Sequence, residues 1–409
     1  MKIVMLTWEY PPRVVGGISK VVYELSQKLG EIGNEVHVVT YCEANSKEFE
    51  KDGYVYVHRV HLPGIEVFDF LQWVQHLNIA MTEYLVSLIN KIGKFDIIHA
   101  HDWLVAFSAV IIKNSYCIPL VSTIHATENG RNNGIHTDLQ RYINSVEWWL
   151  TYQSYKVIVN SQYMKREVLG LFNLPVDKVE VINNGINVNK FDGYFYDIDF
   201  RRRYAADNEK IIFFVGRLVN EKGIAVLIDA MPTIISQYND VKLVIVGKGN
   251  ERECLERKVC SLGISHKTYF TGYMDEEDLK KLYKCVDVAV YPSLYEPFGI
   301  VALEAMLAGV PTIVSDVGGL GEIVFAEDDG KKCYAGCSNL IADSVIDILK
   351  NEEKAKGMIV RAKEKVLKKF NWDVLVKEYQ KVYNEIENKV KKIDWKQDSI
   401  KFVEGGEFR

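Results

Sequence analysis

Two glutamates flank an apolar stretch in YPSLYEPFGIVALEA, residues 291–305. Paired carboxylates are the usual catalytic groups of a sugar hydrolase. In one continuous helix, Glu296 and Glu304 would lie about 12 Å apart along the axis, at 1.5 Å per residue. Retaining hydrolases need their two carboxylates about 5–5.5 Å apart. The spacing therefore predicts that the two side chains contact different parts of one ligand.

A Pro-Phe-Gly bend separates the first glutamate from the helical pattern that follows. Pro297 and Gly299 indicate that Glu296 lies in a loop before the helix. The backbone amides of Phe298, Gly299 and Ile300 are then expected to open that helix. Unpaired N–H groups at a helix start attract the oxygen atoms of a ligand.

Two cations follow the first strand of the second half of the chain. Arg217 and Lys222 stand in the segment VGRLVNEKG, residues 215–223, which ends in glycine. Two positive charges at the carboxyl end of a strand can clamp a diphosphate and stabilise it as it leaves. Solvated surface charges are the alternative, and the position at a strand end favours the clamp.

A glycine pair opens the first helix of the chain. Gly16 and Gly17 lie in the first strand-to-helix turn, where backbone N–H groups and the helix dipole favour an anion. Turns need glycine for other reasons, so the pair alone is a weak signal. The fingerprint G-x-G-x-x-G is absent from this turn, and VGKGNER at residues 246–252 lacks its third glycine. A hydride-transfer enzyme is therefore disfavoured.

Short β-branched runs alternate with helical patterns along most of the chain. The first segments read as a strand, a helix and a strand: KIVMLT, ISKVVYELSQKLGEIG and EVHVVTY. A second series of the same kind starts at KIIFFVGRL. This alternation is typical of parallel sheets, whose ligands bind at the carboxyl ends of the strands. The predicted fold class is α/β, with two doubly wound Rossmann-like domains.

The boundary between the domains is predicted in an aperiodic stretch rich in Asn and Asp, near residues 188–208. The first domain then comprises residues 1–188 and the second comprises residues 189–370. A C-terminal helix at residues 371–392 is expected to pack back on the first domain. Residues 393–409 are expected to form a tail.

Composition and charge exclude several classes of function. The chain has 50 basic and 55 acidic residues without a basic block, so nucleic acid is not an expected partner. No stretch approaches the roughly 18 to 20 apolar residues of a spanning helix, and the N-terminus lacks a signal-peptide pattern, so a cytoplasmic location is expected. Seven cysteines without a C-x-x-C pair favour reduced thiols over a metal site.

Several segments together closely resemble retaining glycosyltransferases of the GT-B type, especially bacterial glycogen-synthase-like α-glucosyltransferases. They are YPSLYEPFGIVALEAMLAGVPTIVSDVGGLGEIV, GRLVNEKG, EYPPRVVGGISK, HAHDW at residues 99–103 and TIHATENGR at residues 123–131. The E-x7-E pair combined with the upstream R-x4-K pair is specific, and the resemblance spans roughly residues 1–390. It implies two domains that face a cleft.

The resemblance implies a role for each part of the second-domain motifs. Glu296 would lie beside the transferred sugar, near its reacting carbon. Glu304 would bind the ribose hydroxyls of the nucleotide, and Arg217 and Lys222 would hold the diphosphate. The hydroxyls of the sugar would be held by the backbone amides of the bend, those of Phe298, Gly299 and Ile300.

The remaining implied contacts come from four other segments. The turn at Gly16 and Gly17 would also face the diphosphate. His125 would contribute to the sugar pocket, and Asp102 would lie near the sugar and the acceptor. Tyr273, in TGYM, would lie beside the nucleotide base.

The implied activity is retaining transfer of a hexose, with glucose favoured, from ADP- or UDP-glucose to a glucan or other sugar acceptor, forming an α-1,4 link. Neither a cofactor nor a metal is expected, because the chain lacks a D-x-D pair in a matching context. Two alternatives stay open, namely a nucleotide-sugar 2-epimerase of the same layout and a non-catalytic two-domain sugar-binding protein. The cation clamp and the missing export signal count against the binding protein. The sequence assigns no oligomeric state.

Overall fold

The computed structural model describes residues 1–44 and 46–390. The chain divides into two compact units. Unit 1 contains Met1–Asn160, Met164–Asn183 and the described residues from Trp372 on, while unit 2 contains Ser161–Tyr163 and Asn184–Asn371. The predicted tail at residues 393–409 lies outside the described residues, as do residues 391–392 of the predicted C-terminal helix.

Unit 1 is built on an eight-stranded sheet. Its strands are β1 (Lys2–Leu6), β2 (Glu35–Tyr41), β3 (Phe49–Asp52), β4 (Val55–Val60), β5 (Ile97–His101), β6 (Leu120–Ile124), β7 (Lys156–Val159) and β8 (Val179–Val181). Its helices are α1 (Gly17–Glu31), α2 (Phe70–Ile92), α3 (Ala106–Tyr116), α4 (Glu128–Arg131), α5 (Asp138–Gln153), α6 (Gln162–Phe172) and α15 (Trp372–Val390). The strand order is β3-β4-β2-β1-β5-β6-β7-β8, and every neighbouring pair is parallel except β3 with β4.

Unit 2 is built on a six-stranded parallel sheet of order β11-β10-β9-β12-β13-β14. Its strands are β9 (Lys210–Val215), β10 (Val241–Val246), β11 (Thr268–Gly272), β12 (Val288–Tyr291), β13 (Thr312–Ser315) and β14 (Lys331–Cys333). Its helices are α7 (Ile198–Arg201), α8 (Ile224–Gln237), α9 (Arg252–Ser261), α10 (Glu276–Tyr283), α11 (Ile300–Ala308), α12 (Leu320–Ile323), α13 (Ser338–Lys350) and α14 (Glu352–Lys369).

The central strands are buried along nearly their whole length, which is why they read as continuous apolar runs in the sequence. β1 and β10 each have a single half-buried residue, and the remaining residues are buried. The core face of α1 contains Val21, Val22 and Leu25, at the spacing of an amphipathic helix. The predicted class of two doubly wound α/β domains is confirmed. Among the described residues, no helix is both long and apolar enough to cross a membrane.

Each sheet has one point at which the strand order reverses. In unit 1, β1 lies between β2 and β5, and in unit 2, β9 lies between β10 and β12. Connections leave such neighbouring strands in opposite directions, so a crevice opens at their carboxyl ends and ligands bind there. The loops after β1, β5, β9 and β12 are therefore the positions at which this fold presents functional side chains.

Candidate active site

The reversal point of unit 2 brings together two of the predicted catalytic residues. Lys222 ends a short 3₁₀ turn after β9, and Glu296 lies in the loop after β12. Lys222 Nζ donates a hydrogen bond to Glu296 Oε2 at 2.6 Å. Only 19% of the lysine side chain and 11% of the glutamate side chain are exposed. Partial burial weakens the screening by water, so the charge pair interacts more strongly than a surface pair would.

Arg217, the second predicted cation, pairs with a carboxylate of its own loop. Its Nη2 lies 3.3 Å from Glu221 Oε1, and 51% of its side chain is exposed. Glu221 was not a candidate from the sequence. Its backbone carbonyl nevertheless accepts the amides of Leu294 and Tyr295, at 2.8 and 3.2 Å. These bonds tie the loop after β9 to the loop after β12 and so position the lysine–glutamate pair.

Helix α11 begins at Ile300, where the Pro-Phe-Gly bend predicted a helix start. Its N-cap, Gly299, has φ 108°, a left-handed conformation that glycine adopts readily. Because glycine has no side chain that could cap the first turn, the amide groups there can face a ligand oxygen. The side chain of Phe298 is 3% exposed and packs against Phe370, so only its backbone can contribute to a ligand site.

A glycine pair that is not among the predicted site residues supports the loop that carries Glu296. Gly319 donates its amide to the carbonyl oxygen of Glu296 at 2.9 Å. Gly318 has φ 51°, and a Cβ atom there would lie 1.9 Å from the same oxygen. Two successive glycines shortly after a strand, in SDVGGLGE, are the sequence signal for this close approach.

The two residues predicted to contact the nucleoside lie in different surroundings. Glu304 is in the second turn of α11 and is 3% exposed, in contact with Lys190 and Tyr283. Tyr273 follows the edge strand β11 and is 69% exposed, with Lys248 Nζ 5.7 Å from the centre of its ring. Because β10 separates β11 from β9, the structure places Tyr273 to one side of the reversal point.

The glycine turn of unit 1 already holds an internal anion. Glu9, which is 1% exposed, accepts the amides of Val15 and Gly16 at Oε2, at 2.6 and 2.9 Å. Burial raises the pKa of this carboxyl group, while the bonds from Gly16 and Val15 oppose the shift. Gly17, by contrast, begins α1. The expectation of a free anion-binding turn is therefore modified, because its first two amides belong to Glu9.

The loops after β5 and β6 bring Asp102 and His125 into contact. Asp102 Oδ1 accepts the backbone amide of His125 at 2.7 Å, and its Oδ2 lies 3.9 Å from Arg131 Nη2. Asp102 has φ 60° and ψ 175°, a conformation that is rare outside glycine and is often found at functional sites. Burial lowers the pKa of His125, which favours the neutral imidazole. The structure thus brings the two predicted residues together at the carboxyl edge of the sheet of unit 1, with Asp102 after the strand next to β1 and His125 one strand further along.

Known proteins match the chain along nearly its whole length. The family model Glycosyltransferase Family 4 matches residues 15–190, and the model Glycosyl transferases group 1 matches residues 197–365. An uncharacterised glycosyltransferase of Methanocaldococcus jannaschii is 43% identical over 94% of this chain and 98% of its own. The chain belongs to the group 1 glycosyltransferases. Glycogen synthase of Mycobacterium tuberculosis is 33% identical over 94% of each chain.

A solved structure agrees with the family assignment of the glycosyltransferase. Sucrose-phosphate synthase from Thermosynechococcus elongatus matches with a TM-score of 0.82 and 24% identity, covering 94% of this chain and 98% of its own. This likeness confirms the GT-B fold, and the family models and curated relatives confirm a hexosyltransferase activity. The two alternatives from the sequence, an epimerase and a non-catalytic sugar-binding protein, are set aside.

A further buried histidine, His99, lies on β5, the strand that precedes Asp102. His99 is fully buried between Tyr383 and Thr123, with 2.7 Å to the hydroxyl oxygen of each. Burial lowers the pKa of His99 to about 3, with nearby His125 as the second cause. These contacts make His99 a core residue that is neutral at physiological pH.

Acid is expected to destabilise unit 1, because His58 and His99 have a pKa of about 3 when folded and an ordinary pKa of about 6.5 when unfolded. Below pH 6.5 the unfolded chain binds protons that the folded chain excludes. Protonation of each histidine in the unfolded chain should therefore lower the free energy of unfolding by about 2 kcal/mol between pH 7 and pH 5. The measurement is the urea midpoint against pH. His99→Gln should flatten the profile, whereas exposed His136→Gln should not, and identical slopes in all three proteins would contradict the assignment.

Proposed function

We propose that the glycosyltransferase transfers glucose, with retention of configuration, from ADP- or UDP-glucose to a hydroxyl group of a glucan, forming an α-1,4 link. The observation that carries the proposal is the Lys222–Glu296 pair at the reversal point of unit 2, beside the N-terminus of α11. A cation, a carboxylate and helix amides at one strand end suit the recognition of a sugar diphosphate. The 33% identical relative is called a glycogen synthase, which supports glucose as the sugar and a glucan as the acceptor.

Unit 2 would contact four parts of the donor, namely the diphosphate, the sugar, the ribose and the base. Lys222 has three N–H donors, so its Nζ can bind a phosphate oxygen while it remains beside Glu296. Arg217 is half exposed and can turn its guanidinium group, whose fork geometry matches a phosphate. The first amides of α11 would bind the sugar hydroxyls, and Glu304 would bind the ribose. Tyr273 remains the proposed neighbour of the base.

Retention requires the acceptor hydroxyl to approach the face from which the diphosphate leaves. The leaving phosphate oxygen would take the proton of the acceptor, while Lys222 and Arg217 stabilise the charge that develops on it. Because side chains supply these cations, the proposed mechanism requires no metal and no other cofactor. In unit 1, Asp102 and His125 remain the proposed residues for the sugar and acceptor. The Gly16-Gly17 turn remains a proposed phosphate contact, through amides that Glu9 does not use.

The test is release of free nucleotide from ADP-, UDP- and GDP-sugars, with and without maltooligosaccharides and with EDTA. We expect release from ADP- or UDP-glucose that depends on the oligosaccharide and persists in EDTA. The product should be one glucose longer and should be cleaved by an α-1,4-specific glucosidase. Lys222→Ala protein gives the background rate. Transfer of another sugar, a different linkage, or a strict need for a divalent ion would contradict the corresponding part of the proposal.

A further inference from the structure

We infer that Lys190 is a positioning residue for the donor, which holds the Glu304 carboxylate in the orientation that accepts the ribose hydroxyls. The inference rests on the proposed function, because it takes Glu304 as the ribose contact. Lys190 lies in the aperiodic stretch near residues 188–208, where no sequence pattern indicates a role for it. The structure places it in unit 2 as the cation of a buried cluster.

The cluster is centred on the Glu304 carboxylate. Lys190 Nζ lies 2.5 Å from Glu304 Oε1 and 3.4 Å from Glu276 Oε1. Only 9% of the lysine side chain and 3% of the Glu304 side chain are exposed. On the other side, the hydroxyl of Tyr283 donates to Glu304 Oε2 at 3.1 Å, and it lies 3.4 Å from the hydroxyl of Tyr291. Each carboxylate oxygen therefore has its own partner, which fixes the rotation of the group.

The charges in the cluster support a carboxylate that stays ionised. Burial alone would lower the pKa of Lys190, but the carboxylates of Glu304 and Glu276 outweigh burial and raise it. A lysine that stays charged favours the charged form of the glutamate beside it. An ionised carboxylate only accepts hydrogen bonds, which suits the two hydroxyl donors of a ribose. Without Lys190, the Glu304 carboxylate would lose the partner that fixes its rotation, and its preference for the ribose hydroxyls would weaken.

A purely structural role for Lys190 makes a different prediction. If the pair only anchored the segment that precedes α7, its loss would reduce the stability of the fold. It would also weaken the binding of every nucleotide to the same degree. If the pair orients Glu304, its loss should lower the affinity for ribonucleotides and leave the affinity for their deoxy counterparts nearly unchanged. The ratio of the two affinities separates these cases, because an overall loss of stability cancels in it.

The experiment is calorimetric binding of UDP and ADP and of their 2′-deoxy and 3′-deoxy forms. We expect wild type to prefer the ribonucleotide by about 10- to 100-fold, the usual value of a hydrogen bond to a charged group. Lys190→Met should reduce that ratio to nearly one, as Glu304→Gln should, and Lys190→Arg should restore part of it. Tyr283→Phe leaves no buried charge unpaired and should lower the affinity ratio at least twofold. This variant replaces Lys190→Met in the test if Lys190→Met does not fold.

Lys267→Met is the matched control. Lys267 forms a comparably buried pair with Glu209 at 3.0 Å, before the amino end of β11 and therefore away from the carboxyl edge. This variant should lose stability and keep the wild-type ratio. A ratio unchanged in both Lys190→Met and Tyr283→Phe would overturn the inference and leave the proposed function standing. If the wild-type protein bound ribonucleotides and their deoxy forms equally, the assignment of Glu304 to the ribose would be overturned together with the inference.

Discussion

Replacing Lys222 by alanine is expected to lower kcat/KM for transfer by about 100- to 1,000-fold, the usual cost of removing one donor that stabilises a developing oxyanion. In the wild type, Lys222 Nζ lies 2.6 Å from Glu296 Oε2, and both side chains are largely shielded from water. The substitution removes the positive charge that is proposed to contact the leaving phosphate, and it leaves Glu296 without its cation. Because that charge grows in the transition state, the loss should appear mainly in kcat, measured as a single-turnover rate.

Three comparisons make the Lys222 result specific. Lys222→Arg keeps a cation and should recover part of the rate, whereas Lys222→Met keeps the length of the side chain and should behave like alanine. Lys258→Ala is the matched control, because Lys258 pairs with Asp229 at 2.7 Å between two helices and should not affect the rate. Near-normal turnover in Lys222→Ala would overturn the proposed phosphate clamp.

The sequence predicted the strands that carry Lys222 and Glu296, but it could not predict that these strands are neighbours. The two residues are 74 positions apart, and both β10 and β11 come between their strands along the chain. The sheet order nevertheless places β9 directly beside β12. Apolar runs determine which segments become strands, whereas neighbour relations depend on how the crossover helices pack.

Local signals were sufficient where the geometry is local. Pro297 and Gly299 predicted the start of α11, because a bend is set by residues adjacent in the sequence. The same reasoning could not assign Gly318, because the atom that excludes a side chain there belongs to Glu296, on another loop. A glycine pair is visible in the sequence, but the contact that requires it forms only in the folded chain.

Buried charges were the hardest feature to predict. The turn at Gly16 and Gly17 was expected to bind the phosphate of a ligand, but the buried carboxyl group of Glu9 accepts the amides of Val15 and Gly16 instead. Lys190 lies in a stretch without hydrophobic periodicity, and its partner Glu304 is 114 positions away. Lysine is rarely buried unless it is paired, so neither its environment nor its role follows from the sequence around it.

Replacing Gly318 by alanine is expected to lower kcat/KM by about 100-fold while nucleotide binding changes little. The added methyl group would lie 1.9 Å from the carbonyl oxygen of Glu296, and both atoms are fixed to backbone, so one loop must move. A displacement of about 1 Å at a catalytic group is enough for a loss of this size. The measurements are kcat/KM for transfer and the Kd of UDP or ADP alone, because the Kd reports separately on Glu304, the proposed ribose contact.

Gly336→Ala separates the steric effect from backbone strain. Gly336 has φ 75°, close to the 51° of Gly318, but among the described residues no atom lies within 4 Å of its Cβ position. It should therefore lose about 1 kcal/mol of stability, the cost of a left-handed alanine, and keep its kcat/KM. If Gly318→Ala lost no more activity than this control, the bond to Lys222 would be sufficient to hold the Glu296 carboxylate in place. A larger loss means that the position of Glu296, the proposed catalytic carboxylate, depends on backbone contact between two strand-end loops, in addition to its charge pair.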